Sequence, residues 1–335
     1  TLGVLALFVL MAYGQEKKFA LYSVAFYNME NLFDTIHDEG KNDYEYLPNG
    51  TNQWNTMKYK AKLKNMSEIL SMLSTDKLPM GPAIIGVSEI ENYRVLEDIL
   101  KQPALADRGY QYVHYEGADQ RGVDCAFFYN PKLFELTNSK LVPYVYINDT
   151  VHKTRGFLIA SGNIAGEKMH FIVNHWPSRA AASPARERAG EQVRAIKDSL
   201  LREDSAAKIV IMGDMNDDPM DKSMAVALGA KRKPADVGPT DLYNPWWDTL
   251  KKGYGTLMYK GKWNLFDQIV FTGNLLGTDR STLKFYKHEI FRRDFMFQKE
   301  GKYKGYPKRT QAGGVWLNGY SDHLPTIIYL IKEVK

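Results

Sequence analysis

The sequence predicts an α/β fold built on a large sheet core. Short runs rich in Val, Ile, Phe and Tyr, bounded by Gly, Asn, Asp or Pro, recur along the whole chain. Between them lie two segments with apolar residues at helical spacing. Hydrophobic residues make up 44% and charged residues 25% of 335 residues. That is ordinary globular composition, so disordered, collagen-like and coiled-coil readings of the whole chain are excluded.

The elements follow in order. Residues 2–11 (LGVLALFVLM) carry no charge, and Ala12-Tyr13-Gly14 then precede polar Gln15-Glu16-Lys17-Lys18. This is the pattern of an apolar signal-peptide segment and its cleavage site, and the run is shorter than the ~20 residues a bilayer span needs. Residues 1–14 are therefore expected to be a signal peptide, and the mature protein to be secreted or periplasmic. Residues 15–335 show no composition break, repeat or linker, and are expected to form a single domain.

Strands are predicted at 19–27, 83–88, 123–129, 156–164, 168–175, 207–213, 267–272 and 325–331. A helix is predicted over 58–74, where Leu63, Met66, Ile69, Leu70 and Leu73 recur at spacings of three and four. A second is predicted over 184–202 from Ala189, Val193, Ile196 and Leu200, with Ser183 as its cap and Pro184 in its first turn. Helices alternating with strands favour an α/β architecture. The single cysteine, Cys125, lies in a strand-like run and excludes an intramolecular disulfide framework. Lys and Arg number 44 against 39 Asp and Glu, a net +5 that does not by itself argue for nucleic acid.

Polar residues with metal or acid–base chemistry follow directly where apolar strands end. The pattern occurs at Asn28-Met29-Glu30-Asn31, Ser88-Glu89-Ile90-Glu91, Asn174-His175, Asp214-Met215-Asn216 and Ser321-Asp322-His323. Strand ends are where α/β proteins mount ligand-binding side chains on a rigid frame. Glu89, Asp214 and Asp322 are oxygen ligands suited to Mg²⁺ or Mn²⁺. His175 and His323 can act as acid, base or charge stabiliser. Asn28 and Asn216 donate hydrogen bonds without adding negative charge, which suits an anionic substrate. No HExxH, Cys/His cluster, GxSxG elbow or P-loop is present. Each fragment alone also reads as a turn, a cap or a packed pair; the case rests on their recurrence in order.

Taken together, FYNMENLFD (26–34), VSEIEN (87–92), RGVDCAFFYNP (121–131), VNHWPSR (173–179), IMGDMNDDP (211–219), LFDQIVF (265–271) and GYSDHLP (319–325) resemble the endonuclease/exonuclease/phosphatase superfamily, in style most like its secreted bacterial members. The resemblance implies a four-layer α/β sandwich, two stacked mixed β-sheets flanked by helices. It also implies roles. Glu89 matches the metal-binding glutamate, with Asn28 beside it and Asp322 supporting the metal. Asp214 and Asn216 match the pair that orients the attacking water and the phosphate. His323 matches the histidine that contacts phosphate or activates water, and Asp267 the aspartate that orients it. His175 matches a second histidine that stabilises charge or assists the leaving group, with Asp124 as its candidate carboxylate partner. Arg121 and Arg179 are candidate phosphate contacts, since guanidinium suits paired phosphate oxygens. The implied enzyme is a divalent-metal-dependent phosphoesterase in which water attacks phosphorus in line.

The substrate is less legible. Residues 280–309 hold ten Lys and Arg against three Asp and Glu, interleaved with Phe285, Tyr286, Phe291, Phe295, Phe297, Tyr303 and Tyr306. Such a stretch suits a nucleic-acid strand, and equally an insertion whose aromatics pack on the core. Trp246, Trp247 and Trp263 pose the same choice between a substrate rim and packing. A secreted nuclease leads. A phosphodiesterase or phosphatase acting on small, sugar or lipid phosphates follows, and a non-catalytic polyanion binder comes last. No stable protein partner is inferred, and a monomer is expected.

Overall fold

The computed structural model describes residues 17–147 and 151–334, so the expected signal peptide at 1–14 lies outside the described residues. In chain order the strands are β1 (Lys18–Leu32), β2 (Ile84–Ile90), β3 (Gln111–His114), β4 (Asp124–Tyr129), β5 (Glu135–Val142), β6 (Phe157–Ile164), β7 (Glu167–His175), β8 (Lys208–Asp214), β9 (Ala230–Lys231), β10 (Leu242–Tyr243), β11 (Leu257–Tyr259), β12 (Lys262–Asn264), β13 (Asp267–Thr272), β14 (Lys284–Ile290), β15 (Gln311–Ala312), β16 (Val315–Trp316) and β17 (Thr326–Val334). The α-helices are α1 (Thr56–Met72), α2 (Tyr93–Leu100), α3 (Ser183–Glu203) and α4 (Trp247–Lys251).

Two mixed sheets form the core. The first is ordered β14-β17-β1-β2-β4-β3 and the second β5-β6-β7-β8-β13-β10-β9. Strand alternation separates their faces. Val24 and Phe26 of β1 and Phe127 of β4 point inward against Phe171, Val173, Val210, Met212 and Phe271 of the second sheet. Ala25, Tyr27, Ile85 and Val87 point outward against Leu63, Met66, Leu70, Val95 and Leu96 of α1 and α2. Ile172, Ile209 and Ile211 cover the other outer face with Ala189, Val193 and Leu200 of α3. The result is the four-layer order helix, sheet, sheet, helix. Burying each large side chain in these layers contributes roughly 1.5–3 kcal/mol. Gly86 allows the sheets to approach here, because a Cβ on it would lie 2.6 Å from Met212 Sδ.

All eight predicted strands and both predicted helices are present. One detail is corrected: Ser183 does not cap α3. The N-cap is Ala182, which makes no side-chain cap bond. Ser183 is already helical, and its hydroxyl donates to Glu187 one turn on. Pro184 does occupy the first turn.

The register carries the functional side chains to one edge. β7 runs parallel to β8 and β13 antiparallel to it, which pairs His175 with Asp214 and Asp214 with Asp267. In the first sheet, β1 and β2 are parallel and each has a bulge near its end, at Asn28–Leu32 and Ser88–Ile90. A bulge re-aims the side chains at a strand end.

Candidate active site

Asp214 stands at the centre. One of its oxygens accepts the Asn28 amide at 3.0 Å, and the other accepts the Asn216 backbone N–H at 2.9 Å. His175 Nε2 lies 3.7 Å and His323 Nε2 3.8 Å from the same carboxylate. His175 Nε2 is also 3.6 Å from Glu89, whose other oxygen accepts the Asn31 N–H at 3.0 Å. His323 Nδ1 meets Asp267 Oδ2 at 2.7 Å. Asn28, His175, Asp214, Asn216, Asp267 and His323 are all buried. Asp322 sits at the edge, 3.9 Å from His323 Nε2.

Local backbone aims this cluster. Glu30, Asn31, Glu89 and Asn216 have φ of 47°, 53°, 58° and 52°, left-handed values that side-chain-bearing residues adopt rarely. Short polar bridges hold them there. The Glu30 N–H donates to Asn28 Oδ1, and the Asn216 side chain donates to the Trp176 carbonyl. Ser321 donates to the Asn28 carbonyl and accepts the His323 N–H, which ties the loop before β17 to the end of β1 at the site. Strained backbone retained at converging polar groups is a feature of functional sites.

The electrostatics set the two histidines apart. Burial lowers His175 well below the ordinary imidazole value, helped by the charges of Arg155, Arg121 and His323. Burial also opposes charge on His323, but Asp267, Asp214 and Asp322 outweigh it and hold that imidazole well above its ordinary value. Asp214 is raised by its own burial, with Asp267 and Glu89 adding to the rise and His323 opposing it. A neutral and a protonated imidazole flanking one carboxylate make an acid–base pair.

Of the three acidic and imidazole groups among the described residues that could hold a cation, two are built on Asp214 and the third, His114, Glu116 and Asp124, lies at the β3–β4 turn. Ligand atoms of Glu89, His175 and Asp214 lie within 4.8 Å of one another, as do those of Asp214, Asp267 and His323. Asp267 Oδ1 and His175 Nδ1 are buried without a hydrogen-bond partner. A carboxylate-rich set with imidazole fits a hard divalent ion.

These observations match one family. A model of the endonuclease/exonuclease/phosphatase family covers residues 23–332. The chain belongs to this family. The endonuclease/exonuclease/phosphatase chain is thus a metal-dependent hydrolase of phosphoester bonds. Solved structures share its fold at low identity. An endonuclease/exonuclease/phosphatase family protein of Bacteroides thetaiotaomicron is 15% identical, with TM-score 0.59 over 95% of this chain and 98% of that one. A mannosyl-6-phosphatase of the same organism is 14% identical, with TM-score 0.56 over 92% and 99%. TDP2 of D. rerio, complexed with a single-stranded DNA product, is 14% identical, with TM-score 0.53 over 93% and 99%. A search of curated proteins found no match.

Within this endonuclease/exonuclease/phosphatase site, three candidates from the sequence have partners other than those expected. Asp124 does not partner His175. It accepts the Gly117 N–H at 3.0 Å and meets His114 at 3.3 Å, because the β3–β4 turn folds back over it. Arg179 is committed to Asp217, Asp218 and Asp221 and stacks on Phe266. Arg121 is half exposed, 3.6 Å from Asp119, yet near enough for its charge to act on His175.

Other residues were missed. Arg155 is buried between Asp119 at 3.0 Å and the Trp176 carbonyl at 2.9 Å. Glu30 is buried; it accepts Arg309 at 2.8 Å and the Thr310 N–H at 2.7 Å, and lies 3.8 Å from Lys62. Arg309 also reaches Asp322 at 3.0 Å. Glu30 had a signal, its place among the polar residues that follow the apolar run of β1. Arg309 was hidden inside a basic stretch, and Lys62 looked like one more helix-surface lysine.

The basic-aromatic stretch divides. Phe291 and Met296 are buried, and Phe285 packs against the core. Tyr286, Phe295 and Tyr303 are exposed. Trp246 is fully buried, donating to the Ile269 carbonyl, so it is core rather than rim. Trp263 is half-buried under the Arg292 guanidinium.

Proposed function

We propose that the chain is a nuclease that uses Mg²⁺ or Mn²⁺ and hydrolyses phosphodiester bonds by in-line attack of water, with no covalent enzyme intermediate. The observation that carries the chemistry is the convergence of Glu89, His175, Asp267 and His323 on the single carboxylate of Asp214. Glu89 and Asp322, with Asn28 beside them, would hold the ion. The bound cation supplies charge neutralisation at the phosphate oxygens. Asp214 and Asn216 orient the attacking water. His323, kept protonated by Asp267, donates to a phosphate oxygen and stabilises the charge that develops there. His175, kept neutral, stands on the other side of Asp214, where its ring can offer a hydrogen bond to the leaving oxygen but no proton.

Support for nucleic acid comes from the wall beside the site. Lys302, Tyr303, Tyr306 and Arg309, all from the basic-aromatic stretch, line a cavity that Asp322 and Asn31 also line. Lysines and tyrosines side by side suit phosphates and bases. A second reading, a phosphatase on small sugar phosphates, is favoured by the same cavity, because Glu45, Asn52 and Gln311 line it too. The test is binding and cleavage of single-stranded DNA and RNA over a salt series. Metal-dependent cleavage is expected, with affinity falling steeply as salt rises. Intact nucleic acid at low salt, while a small phosphoester is hydrolysed, would overturn the nuclease reading and leave the second.

A further inference from the structure

The loop 298–305 stands between two pockets. Glu300, Lys302 and Tyr303 line the cavity beside the catalytic cluster, whereas Lys299 and Lys304 line a second pocket of about 400 Å³. That volume is the size of a small-ligand site. Arg292 and Arg293, just after β14, line it too, and Asp294 is the one carboxylate in its lining among the described residues. Backbone bonds hold the loop closed. The Gln298 N–H donates to the Tyr306 carbonyl at 2.8 Å, the Gly305 N–H to the Gln298 carbonyl at 2.8 Å, and the Lys308 N–H to the Met296 carbonyl at 2.7 Å. A pocket braced in this way loses little entropy on binding.

Arg292 is the residue that the rest of the fold does not explain. Its guanidinium sits among three rings, 4.8 Å from the Trp263 centroid, 5.0 Å from Phe297 and 5.6 Å from Tyr254. Ring faces attract and position a cation but bring no negative charge of their own. Nη1 is buried with no hydrogen-bond partner, and Arg292 makes no ion pair with any described residue. The two arginines that the fold buries, Arg155 and Arg186, each pair with an aspartate, at 3.0 Å and 2.9 Å. Burial pushes the Arg292 guanidinium below its ordinary value, and no carboxylate offsets the effect. Arg293, Lys299 and Lys304 are exposed and likewise make no ion pair, and neither does Asp294. Four cations thus share one lining carboxylate. A concave surface of one sign concentrates anions. The guanidinium fork matches paired phosphate oxygens, and the lysines add point charges that favour a multiply charged group over a single carboxylate.

We propose that the Arg292 pocket is a phosphate-binding site separate from the Asp214 cluster. The phosphate is either a free anion, such as pyrophosphate, or a remote phosphate of a longer substrate. The inference does not depend on the substrate assigned to the catalytic cluster, because it rests on the uncompensated cations of this pocket alone.

The test is calorimetric titration of the full chain with pyrophosphate in EDTA, where no metal links the anion to the catalytic cluster. Saturable one-to-one binding is expected. Arg292→Met keeps an apolar stem among the three rings and removes the charge; it is expected to weaken binding about tenfold or more, the loss of a charge-assisted contact. Lys299→Ala and Lys304→Ala, both at exposed positions, are expected to weaken it roughly threefold each and carry the test should Arg292→Met fail to fold. His323→Gln, at the catalytic cluster, is expected to leave this binding unchanged. A single-stranded oligodeoxynucleotide then distinguishes the sources: displacement of pyrophosphate places a strand phosphate in the pocket, and retention leaves the free anion as its ligand. Binding undiminished in the three pocket variants, binding lost in His323→Gln alone, or no binding at about 1 mM pyrophosphate would overturn the proposal and leave a solvated basic surface. Calorimetry in EDTA reads binding without turnover, so these outcomes stand apart from whether the Asp214 cluster hydrolyses phosphoesters.

Discussion

At the scale of single residues, the Asp267–His323 contact separates this site from a generic polar cluster. Asp267 is fully buried, 2.7 Å from His323 Nδ1. Its charge leads those that keep the imidazole protonated against the cost of burial. Asp267→Asn keeps the shape and removes the charge. Its His323 imidazole should titrate at lower pH by NMR, and kcat should fall about 10–100-fold, the usual cost of losing a carboxylate behind a functional histidine. An unchanged titration would contradict the role given to Asp267. Much of the site was legible at this scale, because Asn28, Glu89, His175, Asp214 and His323 each follow or precede an apolar strand run. The partners were less legible. Asp124 stands in the expected strand but meets His114, since a strand pattern does not say which way a neighbouring turn folds. Glu30, Lys62 and Arg309 come from three distant segments, and only the folded chain brings their charges together.

At the scale of elements, the β7–β8 pair mounts His175 beside Asp214, and Gly213 lets those strands meet. A Cβ on Gly213 would lie 2.3 Å from the Asn174 carbonyl oxygen, which is backbone and cannot move aside cheaply. Gly213→Ala should cost about 1–3 kcal/mol, typical of overpacking, read by urea unfolding. It should also reduce turnover by displacing His175 from Asp214. A second element-level prediction concerns α1. Lys62 is fully buried, and its ammonium serves Thr310, Tyr320 and Glu30. Lys62→Met should destabilise the fold by about 3–5 kcal/mol, because the buried Glu30 carboxylate loses a counter-charge. An unchanged urea midpoint would contradict it. The missed strands show why elements vary in legibility. β5 and β14 are sheet-edge strands with charged or half-exposed residues, so alternation is blurred there. The buried central strands read clearly as apolar runs.

At the scale of the whole molecule, the core between the sheets reaches, through Trp246, to His288 on β14 at the edge of the first sheet. Burial lowers this imidazole to about 4, with Lys252 adding to the effect, while Thr249 hydrogen-bonds its Nε2 and Trp246 packs against the ring. An unfolded histidine takes up its proton near pH 6.5. Between those values the unfolded chain binds more protons, so the contribution is fully present above pH 6.5 and is lost as pH falls toward 4. The loss is at most about 3 kcal/mol. His288→Gln should flatten that part of the stability-versus-pH curve in urea unfolding between pH 7.5 and 4.5; parallel curves would contradict it. The four-layer order was legible through the resemblance carried by seven segments, and both sheets and their helices are present. The central claim is that the Asp214 cluster is a metal-dependent phosphoesterase centre. Its most direct test is hydrolysis of bis-p-nitrophenyl phosphate by the full chain with Mg²⁺ or Mn²⁺, with EDTA, and by Asp214→Ala checked for native folding. The account predicts turnover with metal, none with EDTA, and less than a tenth of wild-type turnover in the variant. Turnover that survives EDTA, or survives loss of Asp214, would contradict it.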